Sequence, residues 1–367
     1  MFVSQSRLPH VLEPNSYHCP EQFERELSRL FQPAWHLVAC LDNLSRDGDF
    51  VTLELMGKPL IVRNFSGQIH GFLNVCPHRH CLLTHEKQGT STGFRCQYHG
   101  WEFAASGKAT KIPDARSFKP MPGGPESLCK FDVQVRGPFV FLSLKDRPEP
   151  IERLWPTLMD VCDEFPAHRW KLADCWDYEF SANWKVVVEN TVESYHVPAV
   201  HPRTLVRFGD ESEIEHVIRD DATIMRSPIA SPRAYRQIAD QLLKWLEPGC
   251  KHRYQLYHGF PNLFFMRIDA MLQAMTVVPV SPVSCRMIVY VFTLRARREN
   301  LVSRLITWQW GRFKAAIIKK VLAEDARLYP DLQRGMESSP FAGTISTREE
   351  LVHAFQQYVL RRTVRSH

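Results

Sequence analysis

The strongest constraint in the sequence is a spacing. Cys76-Pro77-His78 and Cys96-Gln97-Tyr98-His99 each place one thiol and one imidazole within a few residues, and 17 residues separate the two segments. Thiolates and imidazoles brought together in this way are metal ligands, and they converge only if a compact fold sets their two loops side by side. Structural zinc accepts two Cys and two His, but zinc fingers keep the Cys as one pair and the His as another. Alternation within each loop suits instead a two-iron cluster, with both thiolates on one iron and both imidazoles on the other. A plant-type ferredoxin pattern fails, because Cys76 and Cys81 have its four-residue gap but no third Cys follows at the required distance.

The rest of the composition narrows the class. Ten Cys without an export signal do not suggest a disulfide scaffold. The N-terminus lacks the apolar core of a secretory signal, which points to a cytoplasmic protein. No apolar run approaches the roughly 20 residues of a membrane span, and the region Leu263–Val280 is interrupted by Arg267, Asp269 and Pro279. A net charge of +6 from 46 basic and 40 acidic residues is mild and does not mark a nucleic-acid partner.

The 367 residues suggest two domains, at roughly 150 residues each. Residues 1–34 read as an extended arm and a helix opened by Pro20, with Phe23, Leu27, Leu30 and Phe31 at helical spacing. Residues 35–148 carry short strand-like runs punctuated by turn signals such as Asp47-Gly48, Ser66-Gly67 and Ser106-Gly107, and so form an all-β unit. The DRPEP stretch at 146–150 reads as a linker. Residues 149–367 are mixed α+β: a helix over Ala182–His196, strands near Gln255–Tyr257, Leu263–Ile268, Ala274–Val280 and Met287–Leu294, and a long helix over Leu301–Leu332. A last helix opens on the capping box Ser346-x-x-Glu349.

A second metal site is expected in the α+β part. Glu193 and His196 are three apart, hence on one face if the segment is helical. Pro198 is expected to break that helix and let His201 fold back beside His196. Two imidazoles and one carboxylate are the usual set for Fe(II) with open positions, and an acid from the long C-terminal helix should complete it. Glu324 and Asp325 are the available pair, about 100° apart on a helix, so only one can be a ligand.

The first constellation, C-x-H-x17-C-x2-H followed by Trp101, resembles the Rieske [2Fe–2S] motif, and the second resembles the catalytic segment of Rieske non-haem iron oxygenase α subunits. The likeness reaches nearly the whole chain, through Glu324–Gly335. It implies an all-β Rieske domain and a helix-grip catalytic domain, an antiparallel sheet with a long C-terminal helix. It implies Cys76, His78, Cys96 and His99 as cluster ligands, and His196, His201 and Asp325, rather than Glu324, as ligands of a mononuclear iron. Glu193 matches the family's bridging acid, between His196 and His99 of the partner subunit in a head-to-tail homotrimer. Asn190 is placed near the iron. The sequence departs from the family at Arg79-His80-Cys81, where a Gly usually stands in place of His80; His80 and Cys81 are expected to pack or to support the ligands. Glu at 193, in the form E-x-Y-H, resembles the subgroup acting on choline, betaine and carnitine.

The function implied is that of a terminal oxygenase, using O2 to hydroxylate or demethylate a small organic substrate, with a quaternary ammonium or N-methyl compound ahead of aromatic ring hydroxylation or O-demethylation. No G-x-G-x-x-G follows a strand, so electrons from NAD(P)H must come through a separate reductase, with or without a ferredoxin. Lys108, Lys111, Arg116 and Lys119 offer a docking face for an acidic donor, or an ordinary solvated loop. Tyr254, Tyr257, Phe264, Phe265, Met266, Trp308 and Trp310 are candidates for the substrate pocket, each also a candidate for plain core. From other classes, a non-catalytic Rieske electron carrier or a zinc-stabilised module would share the first motif but lack the second iron.

Overall fold

The computed structural model describes residues 2–118, 127–205, 213–228, 233–248 and 253–364. The chain divides into two compact units, Gln32–Pro150 on the one hand and Met1–Phe31 with Ile151–His367 on the other.

The smaller unit is all β. Seven antiparallel strands run in the order Trp35–Cys40, Phe139–Ser143, Lys130–Arg136, Gln68–Leu73, Lys58–Phe65, Asp49–Leu55 and Gln88–Thr90. Two of its hairpins close on two-residue turns, Met56-Gly57 and Ser66-Gly67, in which all four residues have positive φ. Such turns carry the twist that matches the flanking strands, and glycine at the second position relieves the strain. A small sheet of Phe94–Arg95, Glu102–Phe103 and Ala109–Lys111 packs its Phe94 and Phe103 into one core with Phe50, Ile61, Phe72, Cys76, Cys96 and Trp101. Both cysteines of the first constellation thus sit inside this core, on the loops that leave it.

The larger unit is built on a seven-stranded antiparallel sheet. Its strands are β1 (Trp170–Phe180), β2 (Glu215–Ile218), β3 (Ala222–Pro228), β4 (Arg253–Gly259), β5 (Leu263–Ile268), β6 (Met271–Ser281) and β7 (Ser284–Leu294), in the order β1-β7-β6-β5-β4-β3-β2. Between β1 and β2 the chain forms α1 (Trp184–Val192) and a single-turn α2 (Val197–Val200). The helix α3 (Leu301–Ala326), opened by a capping box between Asn300 and Ser303, packs on β1 and β7. The expected single helix over 301–332 is therefore two, because α4 (Tyr329–Ser338) starts separately with Pro330 in its first turn. A proline lacks the N–H and clashes with the preceding turn of a continuous helix, so it begins one instead. The last helix, α5 (Glu350–Thr363), follows the Ser346/Glu349 capping box read from the sequence.

Buried polar pairs fasten α1 in place. Lys185 Nζ lies 2.8 and 2.9 Å from the carboxylate oxygens of Glu26, which also accepts from Trp184 Nε1 at 2.8 Å. One turn on, Glu189 accepts from Tyr17 at 2.5 Å and from Gln356 at 3.0 Å. Burial pushes the Lys185 ammonium down and the Glu189 carboxyl up, and each is kept by its neighbours. The N-terminal arm, α1 and α5 are bound into one body by these bonds.

Gly311 sets how closely α3 approaches the sheet. A Cβ there would stand 2.3 Å from Thr293 Oγ1 and 2.5 Å from Ala173 Cβ. Alanine gains about 1 kcal/mol of helix propensity over glycine, but overpacking of this kind costs about 1–3 kcal/mol. Gly311→Ala is accordingly expected to lower the melting temperature in calorimetry; an unchanged or raised value would show that the helix yields without loss.

Candidate active site

The two loops of the first constellation share one backbone frame. Cys76 N–H donates to the Cys81 carbonyl at 2.8 Å and His80 N–H to the Cys76 carbonyl at 3.0 Å; Cys96 and Trp101, and Gly100 and Cys96, make the equivalent bonds at 2.8 and 2.9 Å. The fourth residue after each Cys has positive φ, +59° at His80 and +71° at Gly100. This explains why glycine is usual at the first of these positions: a left-handed residue is required there, and His80 adopts it at a steric cost glycine avoids. His80 is exposed, while Cys81 packs against the core.

On this frame the imidazoles of His78 and His99 meet with ring centroids 4.5 Å apart, and His78 stacks on Trp101 at 5.0 Å. Cys76 and Cys96 are buried and close enough to interact. Burial, with the neighbouring Cys96 thiol, pushes the Cys76 thiol up to about 11, so the thiolates need a cation to form. Burial, and then His99 and Arg79, hold His78 below its ordinary value and so neutral, as a metal ligand must be. Its Nδ1 is buried without a hydrogen-bond partner among the described residues. Two buried thiols, a pair of converging imidazoles and an orphaned ring nitrogen fit a cluster bound by two Cys and two His.

The second constellation forms differently from the way the sequence suggests. The helix expected over Ala182–His196 ends at Val192, and Glu193 is extended (φ −118°, ψ 169°), so Glu193 and His196 do not share a helical face. They meet because the Glu193 carboxylate folds over the turn, accepting from the backbone N–H of Tyr195 and His196 and bonding His196 Nδ1. Pro198 does not break a helix either: it lies in the first turn of α2, which His196 and His201 flank as N- and C-cap. One helical turn between them brings their rings to 5.3 Å.

Asp325, near the end of α3, completes the set. Its Oδ1 lies 2.9 Å from His201 Nε2 and 3.6 Å from His196 Nε2, and one ligand atom from each of the three residues lies within 4.8 Å of the others. Asn190 Nδ2 is 3.5 Å from His196 Nε2. Glu324 is neither a ligand of this set nor part of a solvated face. It bonds His201 Nδ1 at 2.8 Å and accepts from Thr204 Oγ1. Each imidazole is thus held at Nδ1 by a glutamate and presents Nε2 to the same point, the arrangement that fixes metal-binding histidines. Burial opposes protonation of His201, but Asp325 and Glu324 outweigh it and hold the imidazole above its ordinary value. A buried carboxylate oxygen facing two Nε2 atoms fits a divalent metal held by two His and one Asp.

These residues line one end of a cavity of about 430 Å³, walled by the sheet and by α3. Of the expected pocket residues, Tyr254 and Met266 line it; Tyr257, Phe264, Phe265 and Trp310 are buried outside its wall, and Trp308 is exposed. Asp269, Lys314, Tyr235 and Gln273, which the sequence reading did not single out, do line it. A signal existed for one of them: Lys314 precedes Asp325 by 11 residues, about three helical turns, and so falls on the same face. In the smaller unit Lys108, Lys111 and Arg116 are exposed, with Lys111 3.4 Å from Glu102; Lys119 lies outside the described residues.

Comparison with known proteins finds a domain match over each unit. The model of the Rieske [2Fe–2S] domain matches residues 34–122, and that of the ring-hydroxylating alpha subunit (catalytic domain) matches residues 167–364. The chain belongs to the ring-hydroxylating α-subunit family. Membership implies a Rieske cluster and a non-haem iron, the two groups that the donor sets fit. Among curated relatives of this family, the oxygenase subunit of glycine betaine monooxygenase from Chromohalobacter salexigens is 31% identical over 66% of this chain and 52% of its own length. The oxygenase subunit of carnitine monooxygenase from Escherichia coli is 26% identical over 88% of this chain and 83% of its own. The chain spans about half the length of the first of these relatives. In fold, a quaternary ammonium Rieske monooxygenase superposes with a TM-score of 0.80 at 20% identity, covering 98% of this chain and 96% of the other. A naphthalene 1,2-dioxygenase from Rhodococcus sp. gives 0.72 at 16%, covering 96% and 94%. Among the described residues no helix is long and apolar enough to cross a membrane.

Loss of a carboxylate that orients a metal-bound histidine costs about 10–100-fold in metal affinity. Glu324→Gln is expected to weaken iron retention on that scale in chelator competition, while the visible spectrum of the cluster stays unchanged. Undiminished iron affinity would remove Glu324 from the metal site.

Proposed function

We propose that this chain is the terminal oxygenase component of a Rieske system, hydroxylating or demethylating a small organic substrate with O2 and with electrons that a separate reductase draws from NAD(P)H. The observation that carries this reading is the pairing, in one chain, of a Cys₂His₂ donor set with a two-His, one-Asp set at the end of a substrate-sized cavity. Bound there, the cluster supplies electrons singly and the iron supplies oxygen activation. The roles assigned to the protein follow from position. His196, His201 and Asp325 would hold the iron, and a set of three protein ligands would leave it positions for oxygen chemistry. Cys76, Cys96, His78 and His99 hold the cluster.

Glu193 is read as the link for electrons arriving from the cluster of a neighbouring subunit in a homotrimer. Its bond to His196 Nδ1 puts it directly behind an iron ligand, which supports that role. Asn190, beside His196 Nε2, is read as positioning what enters the open side. The exposed Lys108 and Arg116 are read as contributing to the docking face for an acidic electron donor. Likeness to glycine betaine and carnitine oxygenase subunits supports the reaction class, and the cavity decides which molecule enters.

Two measurements test the reading. Metal analysis of the reconstituted chain should give three irons per chain; two would mark an electron carrier. Glu193→Gln keeps an acceptor on His196 but removes the charge. It should retain all three irons, with turnover reduced by at least about tenfold. Loss of the mononuclear iron in this variant would instead make Glu193 part of the iron's support, and full activity would end its role in transfer.

A further inference from the structure

The wall of the cavity away from the iron holds a buried polar cluster. Lys314 Nζ donates to Asp269 Oδ2 at 2.9 Å and to Tyr235 OH at 2.7 Å, and Tyr235 OH donates to the same carboxylate oxygen at 3.1 Å. Lys314 and Asp269 are each more than nine-tenths buried, yet both line the cavity. The ammonium also lies 5.0 Å from the centroid of Trp310 and 5.4 Å from that of Tyr235. Desolvation, reinforced by the Asp269 charge, pushes the Tyr235 phenol up, so it stays a neutral donor.

Three features of this cluster bear on what can enter. Of the three aromatic rings that line the cavity, Tyr235, Tyr254 and Phe313, the face of Tyr235 is already taken by the chain's own ammonium. The three acids that line the cavity are engaged: Glu193 with His196, Asp325 with His201 and Asp269 with Lys314. No lining carboxylate among the described residues is left to balance a quaternary ammonium, and Lys314 would repel one. Lys314, however, has three N–H donors and uses two, and the third has no acceptor among the described residues. On β6, Gln273 also lines the cavity; it is 2% exposed and its Oε1 has no partner among the described residues. A buried donor and a buried acceptor facing a cavity are costly unless a ligand satisfies them. Lys314 and Asp325 stand about 16 Å apart along α3, and the rest of the lining is mostly aliphatic and thioether, with Leu256, Met266, Ile268, Met275, Ile317 and Val321 beside the rings of Tyr254 and Phe313.

We propose that the cavity selects an uncharged, largely apolar substrate with one oxygen function, a ketone, ether or alcohol, which accepts the remaining Lys314 N–H, in preference to an N-trimethyl cation. The inference rests on the reading of this cavity as the oxygenase's substrate chamber, and it departs from the substrates named for the betaine and carnitine relatives. Lys314 is the specificity determinant, held by Asp269 and Tyr235; Gln273 Oε1 accepts the hydrogen bond of an alcohol O–H.

The test uses three probes with one body: benzylacetone, butylbenzene and phenylpropyl-trimethylammonium. Binding to the full chain loaded with cluster and iron is read by calorimetry without oxygen. Oxygenated products are read separately by mass spectrometry after reduction and exposure to air. Benzylacetone should bind at least about tenfold tighter than either other probe, as expected where a site's polar group is left unpaired by the analogue. In Lys314→Met that advantage over butylbenzene should disappear. If the loss of one buried charge unfolds the chain, the double variant Lys314→Met with Asp269→Asn, which removes both, should show the same loss. Tightest binding by the trimethylammonium probe, no binding of benzylacetone, or an advantage that survives in the Lys314 variants would overturn the proposal. Selective binding of benzylacetone without oxygenation of any probe would uphold the selectivity while counting against the oxygenase reading.

Discussion

Everything in the larger unit answers to one requirement: two imidazoles close together in sequence must turn the same nitrogen toward the same point. An imidazole on a flexible side chain has no reason to do this. Here each ring is gripped from behind by a glutamate, Glu193 on His196 and Glu324 on His201. The two glutamates come from different places, one from the turn after α1 and one from α3 beside Asp325. The site therefore exists only where α1, α2 and α3 are already in register. Buried bonds from Lys185 and Glu189 hold α1 to the N-terminal arm and to α5, and Gly311 lets α3 lie close on the sheet. Elements far from the metal position are in this sense part of its construction.

How much of this was legible in the sequence follows from the distances along the chain. The cluster loops are contiguous motifs, so both donor pairs could be read directly. The two histidines of the second site also stand in one short segment. Asp325 came only through family resemblance, and Glu324 was set aside, because 123 residues separate Glu324 from His201 and spacing carries no information across such a gap. Pro198 misled for a physical reason: proline is as suited to starting a helix as to ending one, and only the backbone of Glu193 decides between them. The edge strand β1 is hard to read because a bulge between Leu172 and Asp174 and the charge of Asp174 interrupt the alternation along Trp170–Phe180. The Asp269–Lys314–Tyr235 cluster unites a hairpin turn, α3 and a separate helix, and no local pattern announces such a meeting.

The cavity has two chemically different poles. The iron pole is built from two histidines and an aspartate, while the opposite pole is built from an ion pair and a phenol. A buried ion pair rarely adds stability over well-packed apolar residues. Its presence at the wall of a chamber is better understood as recognition than as support.

The one-turn helix between His196 and His201 has a further consequence. Because the rings meet through a single turn, each residue added or removed there would rotate His201 by about 100° around the axis. Val197, Ala199 and Val200 could exchange for other side chains that fit. The number of residues could not change. In this segment length carries the information, and the side chains between the ligands serve chiefly as a ruler.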